Sequence, residues 1–161
     1  MADDGVPLPV HRYQARLRWS GSTGVGYDAY DRTHTASAPP ADASLTLASD
    51  PAFLGDPALL NPEQLVVLAA SSCQLLSFLA VAARARIDVR SYEDDAEATM
   101  PEDDPPMRLT AITLRPRVLV GPGPTVARVE HLLEVAHREC FIANSLRSEI
   151  SVEPTVTIAD G

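Results

Sequence analysis

The chain has 161 residues and a net charge of −9, with 22 acidic side chains against 13 basic ones, all of them arginine. This balance excludes non-specific binding to nucleic acid, which needs clustered cations against phosphate. The lack of lysine excludes Schiff-base chemistry and a P-loop. At 45% hydrophobic, the chain has the content of one globular domain, 1–161.

The first residues, Met1 to Pro7, are acidic and carry a proline. They lack the basic and apolar regions of a secretory signal, so a cytoplasmic location is expected. Residues 12 to 19 alternate strictly, with Tyr13, Ala15, Leu17 and Trp19 on one face and arginines and Gln14 on the other. That pattern predicts a half-buried strand. Gly21, Gly24 and Gly26 mark a turn region, a second strand is expected from about Tyr27 to Ala36, and a third from Ser44 to Ser49. The three read as an antiparallel meander.

Asn61-Pro62-Glu63 is a helix start: asparagine caps, proline suits the first helical position, and a carboxylate complements the positive helix end. The helix is expected to run to about Arg86. Within it, Gln64 to Ala83 is twenty residues without a charge. That is long enough to cross a bilayer. Its serines, Cys73, Gln74 and many alanines favour a central helix buried within a domain or dimer, and no membrane association is expected.

Tyr92 to Met100 reads as an acid-rich strand and Pro101 to Pro106 as a solvated loop. Arg108 to Val120 reads as a longer strand with Ile112, Leu114, Val118 and Val120 in period two. Pro116 predicts an edge or a bulge there. A second helix is expected over Thr125 to Arg147, with Cys140 on its apolar stripe, and a last strand over Ile150 to Ile158. The order βββ-α-ββ-α-β predicts an α+β fold.

The chemistry centres on the two cysteines, which are too few for a disulfide framework. Cys73 and Cys140 read either as small core hydrophobes or as a nucleophile and its resolver, which requires a thiol of lowered pKa. With no lysine, a cation beside the thiolate has to be arginine or protonated histidine. His137 and Cys140 have the i, i+3 spacing of a shared ligand face, but no C-x-x-C accompanies them, so no metal is expected. A Cys-His hydrolase lacks a histidine near Cys73 in sequence.

Two stretches carry a family resemblance. SDPAFLGDPALLNPEQLVVLAASSCQLLSFL (Ser49 to Leu79) and HRECFIANSL (His137 to Leu146) resemble the superfamily of osmotically inducible protein C and organic hydroperoxide resistance protein, OsmC/Ohr. WSGSTGVGYDAYDRTH (Trp19 to His34) is similar to its opening hairpin. The resemblance implies an intertwined homodimer with buried central helices and active sites at the subunit interface. It also implies a thiol-dependent peroxidase that defends against oxidative stress by reducing organic hydroperoxides to alcohols. Cys73 then matches the peroxidatic cysteine and Cys140 the resolving one. Arg32 matches the arginine that polarises the peroxide and holds the thiolate, and Glu63 matches the glutamate that orients it. No bound cofactor is implied, and an external thiol or dithiol is the reductant. The alternative is a non-catalytic member that binds a small ligand or senses redox state.

Three features qualify the match. Gln74 stands where relatives often have histidine just after the reactive cysteine, and a glutamine cannot be a cation. Ten residues of straight helix put about 15 Å between Glu63 and Cys73. Glu63 therefore serves the site through a helix break, a fold-back or the partner subunit, or is only a helix-end charge. Leu75, Leu76, Phe78 and Phe141 are expected to wall the site and favour alkyl or lipid peroxides.

Overall fold

Only three residues of the alternating N-terminal stretch pair as a strand: β1 is Arg16–Arg18. In this computed structural model, which describes residues 8–160, β1 joins β2 (His34–Ser37) and β3 (Ser44–Leu47) in an antiparallel sheet ordered β1-β2-β3. The acidic start, on which the expected location rests, lies outside the described residues. The meander is as predicted, but β2 begins at His34 rather than Tyr27. Thr23–Val25 winds a 3-10 turn capped by Ser22, and turns continue through Tyr30. The apolar face of the first strand is also not half-buried: Tyr13 is 90% exposed and Leu17 67%. Alternation records that a face suits a cover, and the described residues leave this one open.

These elements belong to the first of two compact units, residues 1–62; residues 63–161 form the second. The first unit ends in a constrained loop. Asp50 caps a 3-10 turn, Pro51–Phe53, by accepting from the Ala52 N–H at 2.7 Å. Gly55 then passes so close to Ser49 that a Cβ there would lie 1.6 Å from the Ser49 carbonyl oxygen. Leu60 bridges back to Leu47, and the Asn61 amide donates to Asp50 at 3.4 Å.

The second unit is built on α1 (Pro62–Arg84), which is continuous over its whole length. The helix ends in a Schellman arrangement. Arg86 takes a left-handed φ of 58°, the Ile87 N–H reaches the Ala82 carbonyl at 2.9 Å, and the Arg86 N–H reaches that of Ala83 at 3.0 Å.

Each of the three strands expected after α1 is broken once. They become β4 (Val89–Asp94) and β5 (Glu97–Thr99), β6 (Ala111–Leu114) and β7 (Pro116–Val120), and β8 (Glu149–Val152) and β9 (Thr155–Ile158). Two three-stranded sheets result, ordered β4-β7-β9 and β5-β6-β8. In each, the first pair is antiparallel and the second parallel. Parallel neighbours need a crossover, which α2 (Val126–Glu139) provides between β7 and β8.

Pro116 therefore does not mark an edge strand. β7 lies in the middle of its sheet, and Pro116 is its first residue, at the break, where the ladder can do without an N–H. Arg115 and Asp94 hold the break together. The Asp94 carboxylate accepts from the Arg115 backbone N–H at 2.6 Å and from the Ser71 hydroxyl of α1 at 2.5 Å. The Arg115 guanidinium reaches Glu97 at 2.7 Å and Glu153 at 3.2 Å, so all three broken strands meet there.

The two halves of α1 pack on the two sheets. Phe78, Val81 and Ala82 join Val118 and Val120 of β7 and Val129, Leu132, Leu133 and Ala136 of α2. Ala70, with Val66 and Val67 beside it, joins Ile112 and Leu114 of β6. Within one chain the helix is covered on one side only: Leu68, Leu76 and Leu79 are exposed. α1 is long and apolar enough to cross a membrane, yet one of its faces is packed in this core. An uncharged sequence has no polar face to mark which side meets the sheets.

Candidate active site

Cys73 lies in α1 between those two clusters and is half-buried; Cys140 is buried, with 1% exposure. Both are free thiols. α2 stops at Glu139, eight residues before the expected end, and Cys140 is its C-cap in an extended conformation (φ −67°, ψ 115°). Residues 141–145 form turns. Apolar residues at 140 and 143 keep helical spacing past the true end, which is why the sequence pattern overran it. Cys140 is thus outside the helix, and the helical ligand face with His137 does not form.

The two sulfurs are brought together by α1 and this turn. The Cys140 thiol donates a hydrogen bond to Cys73. The backbone N–H groups of Ile142 and Phe141 and the Ser77 hydroxyl, one helical turn along α1, also favour the Cys73 thiolate. Burial pushes the Cys73 thiol up, but these four donors outweigh it and hold the pKa below the ordinary thiol value. Cys140 moves the other way. Burial and the proton it shares with Cys73 push it up to about 11, against the Ala143 N–H, which donates to its sulfur at 3.4 Å. The pair is therefore asymmetric, with Cys73 the more acidic thiol and Cys140 the less acidic one.

Ser77 and the amides of residues 141–143 were not among the residues singled out by sequence. Ser77 had a readable signal, the i, i+4 spacing from Cys73. The amides had none, because they depend on where α2 ends.

Other side chains border the pair. Gln74 is fully buried, and its Nε2 donates to the Leu133 carbonyl of α2 at 3.1 Å. The side chain standing where relatives often have histidine thus ties α1 to α2. Tyr92 stacks near Phe78, with centroids 6.1 Å apart, and its buried hydroxyl has no partner among the described residues. Burial, followed by the charges of Asp94 and Cys140, pushes its pKa well up, so it stays protonated. Phe78 is fully buried in the core and walls no open site, which corrects that expectation. Leu76 and Phe141 are exposed and Leu75 half-buried.

Glu63 sits in the first turn of α1. Because α1 is unbroken, about 15 Å of helical rise separates it from Cys73 of its own chain, and a helix break does not bring them together. Arg32 lies in the first unit. Its Nη1 donates to the Tyr30 carbonyl at 2.9 Å and its Nη2 to that of Tyr27 at 2.7 Å. The guanidinium lies 3.9 Å from the Tyr30 ring centroid and 4.9 Å from that of Tyr27. It lines an open cleft of about 280 Å³ with Tyr30, Thr33, Leu54, Gly55 and Asp56.

A family model described as OsmC-like protein matches residues 55–155, a stretch that contains both cysteines. Among solved structures, an OsmC-like protein of unknown function from Vibrio cholerae is 29% identical, with a TM-score of 0.82, covering 91% of this chain and all of that one. An organic hydroperoxide resistance protein OsmC from Legionella pneumophila is 18% identical (TM-score 0.66, 92% and 98% covered). The organic hydroperoxide resistance protein OhrB of Bacillus subtilis is 17% identical (TM-score 0.61, 91% and 98% covered). The last two are similar in fold. The search of curated proteins found no match.

Proposed function

The chain belongs to the OsmC-like protein family, and on that premise we propose that it is a thiol-dependent peroxidase acting on organic hydroperoxides. The observation that carries this reading is the asymmetry of the thiol pair. A two-cysteine peroxidase needs one sulfur that ionises readily and one kept protonated beside it, and the lowered pKa of Cys73 next to the raised pKa of Cys140 supports that division.

The Cys73 thiolate attacks one peroxide oxygen, the O–O bond breaks, and the alkoxide leaves and is protonated to the alcohol. Cys73 becomes a sulfenic acid. The Cys140 sulfur then attacks the Cys73 sulfur, a disulfide forms, and the hydroxyl leaves as water with the Cys140 proton. An external dithiol reduces the disulfide and takes up the oxidation.

In this reading Arg32 polarises the peroxide. It must then turn from the Tyr27 and Tyr30 carbonyls or use its remaining N–H groups. Glu63 orients the arginine of a partner subunit, since its own α1 keeps it far from its own Cys73. A homodimer is supported by the apolar side chains left exposed, among them Leu17, Leu68, Leu76, Leu79 and Phe141. The same apolar character around Cys73 favours alkyl over hydrogen peroxide. The cytoplasm, with its thiol reductants, is the fitting compartment.

The test is turnover. The protein, cumene hydroperoxide and a dithiol should consume peroxide in a Cys73-dependent way. Consumption no greater than that of Cys73→Ser would reject the enzyme and leave a ligand-binding or redox-sensing protein.

A further inference from the structure

The turn after α2 has a regularity that residue spacing alone does not explain. In a trans peptide the C=O and the N–H of one plane point in opposite directions, so fixing the oxygen aims the N–H. Three successive planes here are fixed at the oxygen, and their N–H groups lie on the side of the two cysteines.

The Cys140 carbonyl accepts from the Asn144 backbone N–H at 3.0 Å and from Asn144 Nδ2 at 2.8 Å, and the N–H of that plane is that of Phe141, which helps hold the Cys73 pKa down. The Phe141 carbonyl accepts from the Ser145 hydroxyl at 2.7 Å, and its plane carries the Ile142 N–H, which also helps hold the Cys73 pKa down. The Ile142 carbonyl accepts from the backbone N–H groups of Ser145 at 3.0 Å and Leu146 at 3.2 Å, and its plane carries the Ala143 N–H, which donates to Cys140.

Two of the three planes depend on side chains. Asn144 also reaches the Arg138 carbonyl at 2.9 Å, one of the oxygens that a helix end leaves without an intrahelical donor. Its single NH₂ group therefore ties the last turn of α2 to the Cys140 peptide. Both side chains are exposed and belong to no core cluster, so core packing does not account for their placement.

We propose that Asn144 and Ser145 are positioning residues for the thiol pair, orienting the peptide planes whose N–H groups form an anion-holding nest around Cys73. Neither touches sulfur; they act through the backbone. The inference rests on Cys73 being the reactive thiolate, and so deepens the peroxidase reading. One consequence is that the loop carrying the resolver also activates the nucleophile.

The test is the pH profile of Cys73 alkylation by iodoacetamide in the reduced, full-length protein, with a Cys140→Ser background to isolate one thiol. Asn144→Ala and Ser145→Ala should each raise the midpoint and slow alkylation several-fold below it. The double variant should slow it about tenfold, the equivalent of one pH unit. Asn144→Asp, isosteric but without the NH₂ donors and with an added negative charge, should raise the midpoint at least as far as Asn144→Ala. Ser148→Ala removes a hydroxyl that bonds the Leu109 carbonyl outside this turn, and should change nothing. Unchanged midpoints in the folded single variants, with wild-type circular dichroism, would overturn the proposal. The profile reads thiolate rather than turnover, so an inactive wild type would reject the peroxidase and leave this result interpretable.

Discussion

The Cys140 thiol donates its hydrogen to the Cys73 sulfur, and this bond divides two identical groups into a nucleophile and an acid. The nearby backbone amides and the Ser77 hydroxyl deepen the division. Alkylation of the reduced protein should therefore show two midpoints, one for Cys73 below the ordinary thiol value of 9.0 and one for Cys140 near 11. Cys140→Ala should raise the Cys73 midpoint by removing a donor, and Cys140→Ser should restore part of the loss. Two coincident midpoints would refute the division.

Alkaline stability carries the opposite sign from that of an acid-stabilising pair. The raised pKa values of Cys140 and Tyr92 mean that the folded chain keeps protons which the unfolded chain releases. Stability of the reduced protein should fall as pH rises from about 9 towards 11. Below about 9 both groups are protonated in either state and contribute no slope. Tyr92→Phe removes one of these protons together with a buried hydroxyl that lacks a partner among the described residues. It should be neutral or stabilising at pH 7 and should flatten the alkaline loss, both measured by urea denaturation. A Tyr92→Phe variant much weaker at pH 7 would show that the hydroxyl has a role in the folded chain.

Asp94 accepts from the Arg115 N–H and the Ser71 hydroxyl where the strands break. Asp94→Ala strands both donors and should cost about 1–3 kcal/mol. Because Ser71 is two residues from Cys73 on α1, peroxidase activity should fall more than activity of a variant equally destabilised elsewhere. Thermal melts beside steady-state rates check both statements.

Leu76 and Phe141 flank the two cysteines in sequence and lie open to solvent, with Phe141 80% exposed. If a second copy covers this surface, Leu76→Glu should convert a dimer into a monomer in sedimentation equilibrium and abolish turnover. A Leu76→Glu protein that stays dimeric would remove Leu76 from the interface.

The elements most legible in the sequence were those marked by strong local chemistry. Asn61-Pro62-Glu63 marked the start of α1, and the two cysteine motifs marked the residues that come together. The strand breaks were hidden, because burial keeps its period of two through Ile112, Leu114, Pro116, Val118 and Val120 even though the ladder changes sheet at Arg115. The end of α2 was hidden by apolar residues at helical spacing beyond it. The amides near Cys73 are hidden for the same reason: they are backbone groups of a turn whose apolar spacing imitates a helix. Arg32 was legible as a candidate cation, but not its enclosure by Tyr27 and Tyr30, since aromatic stacking leaves no periodic trace.

The central claim is that Cys73 and Cys140 form one redox couple. Its most direct measurement is mass spectrometry of the reduced protein after one equivalent of organic hydroperoxide, with peptide mapping. The account predicts loss of two hydrogens and a Cys73–Cys140 disulfide within one chain, absent in either cysteine variant. Persistent free thiols, or stable oxygen adducts on Cys73 with Cys140 unreacted, would contradict it.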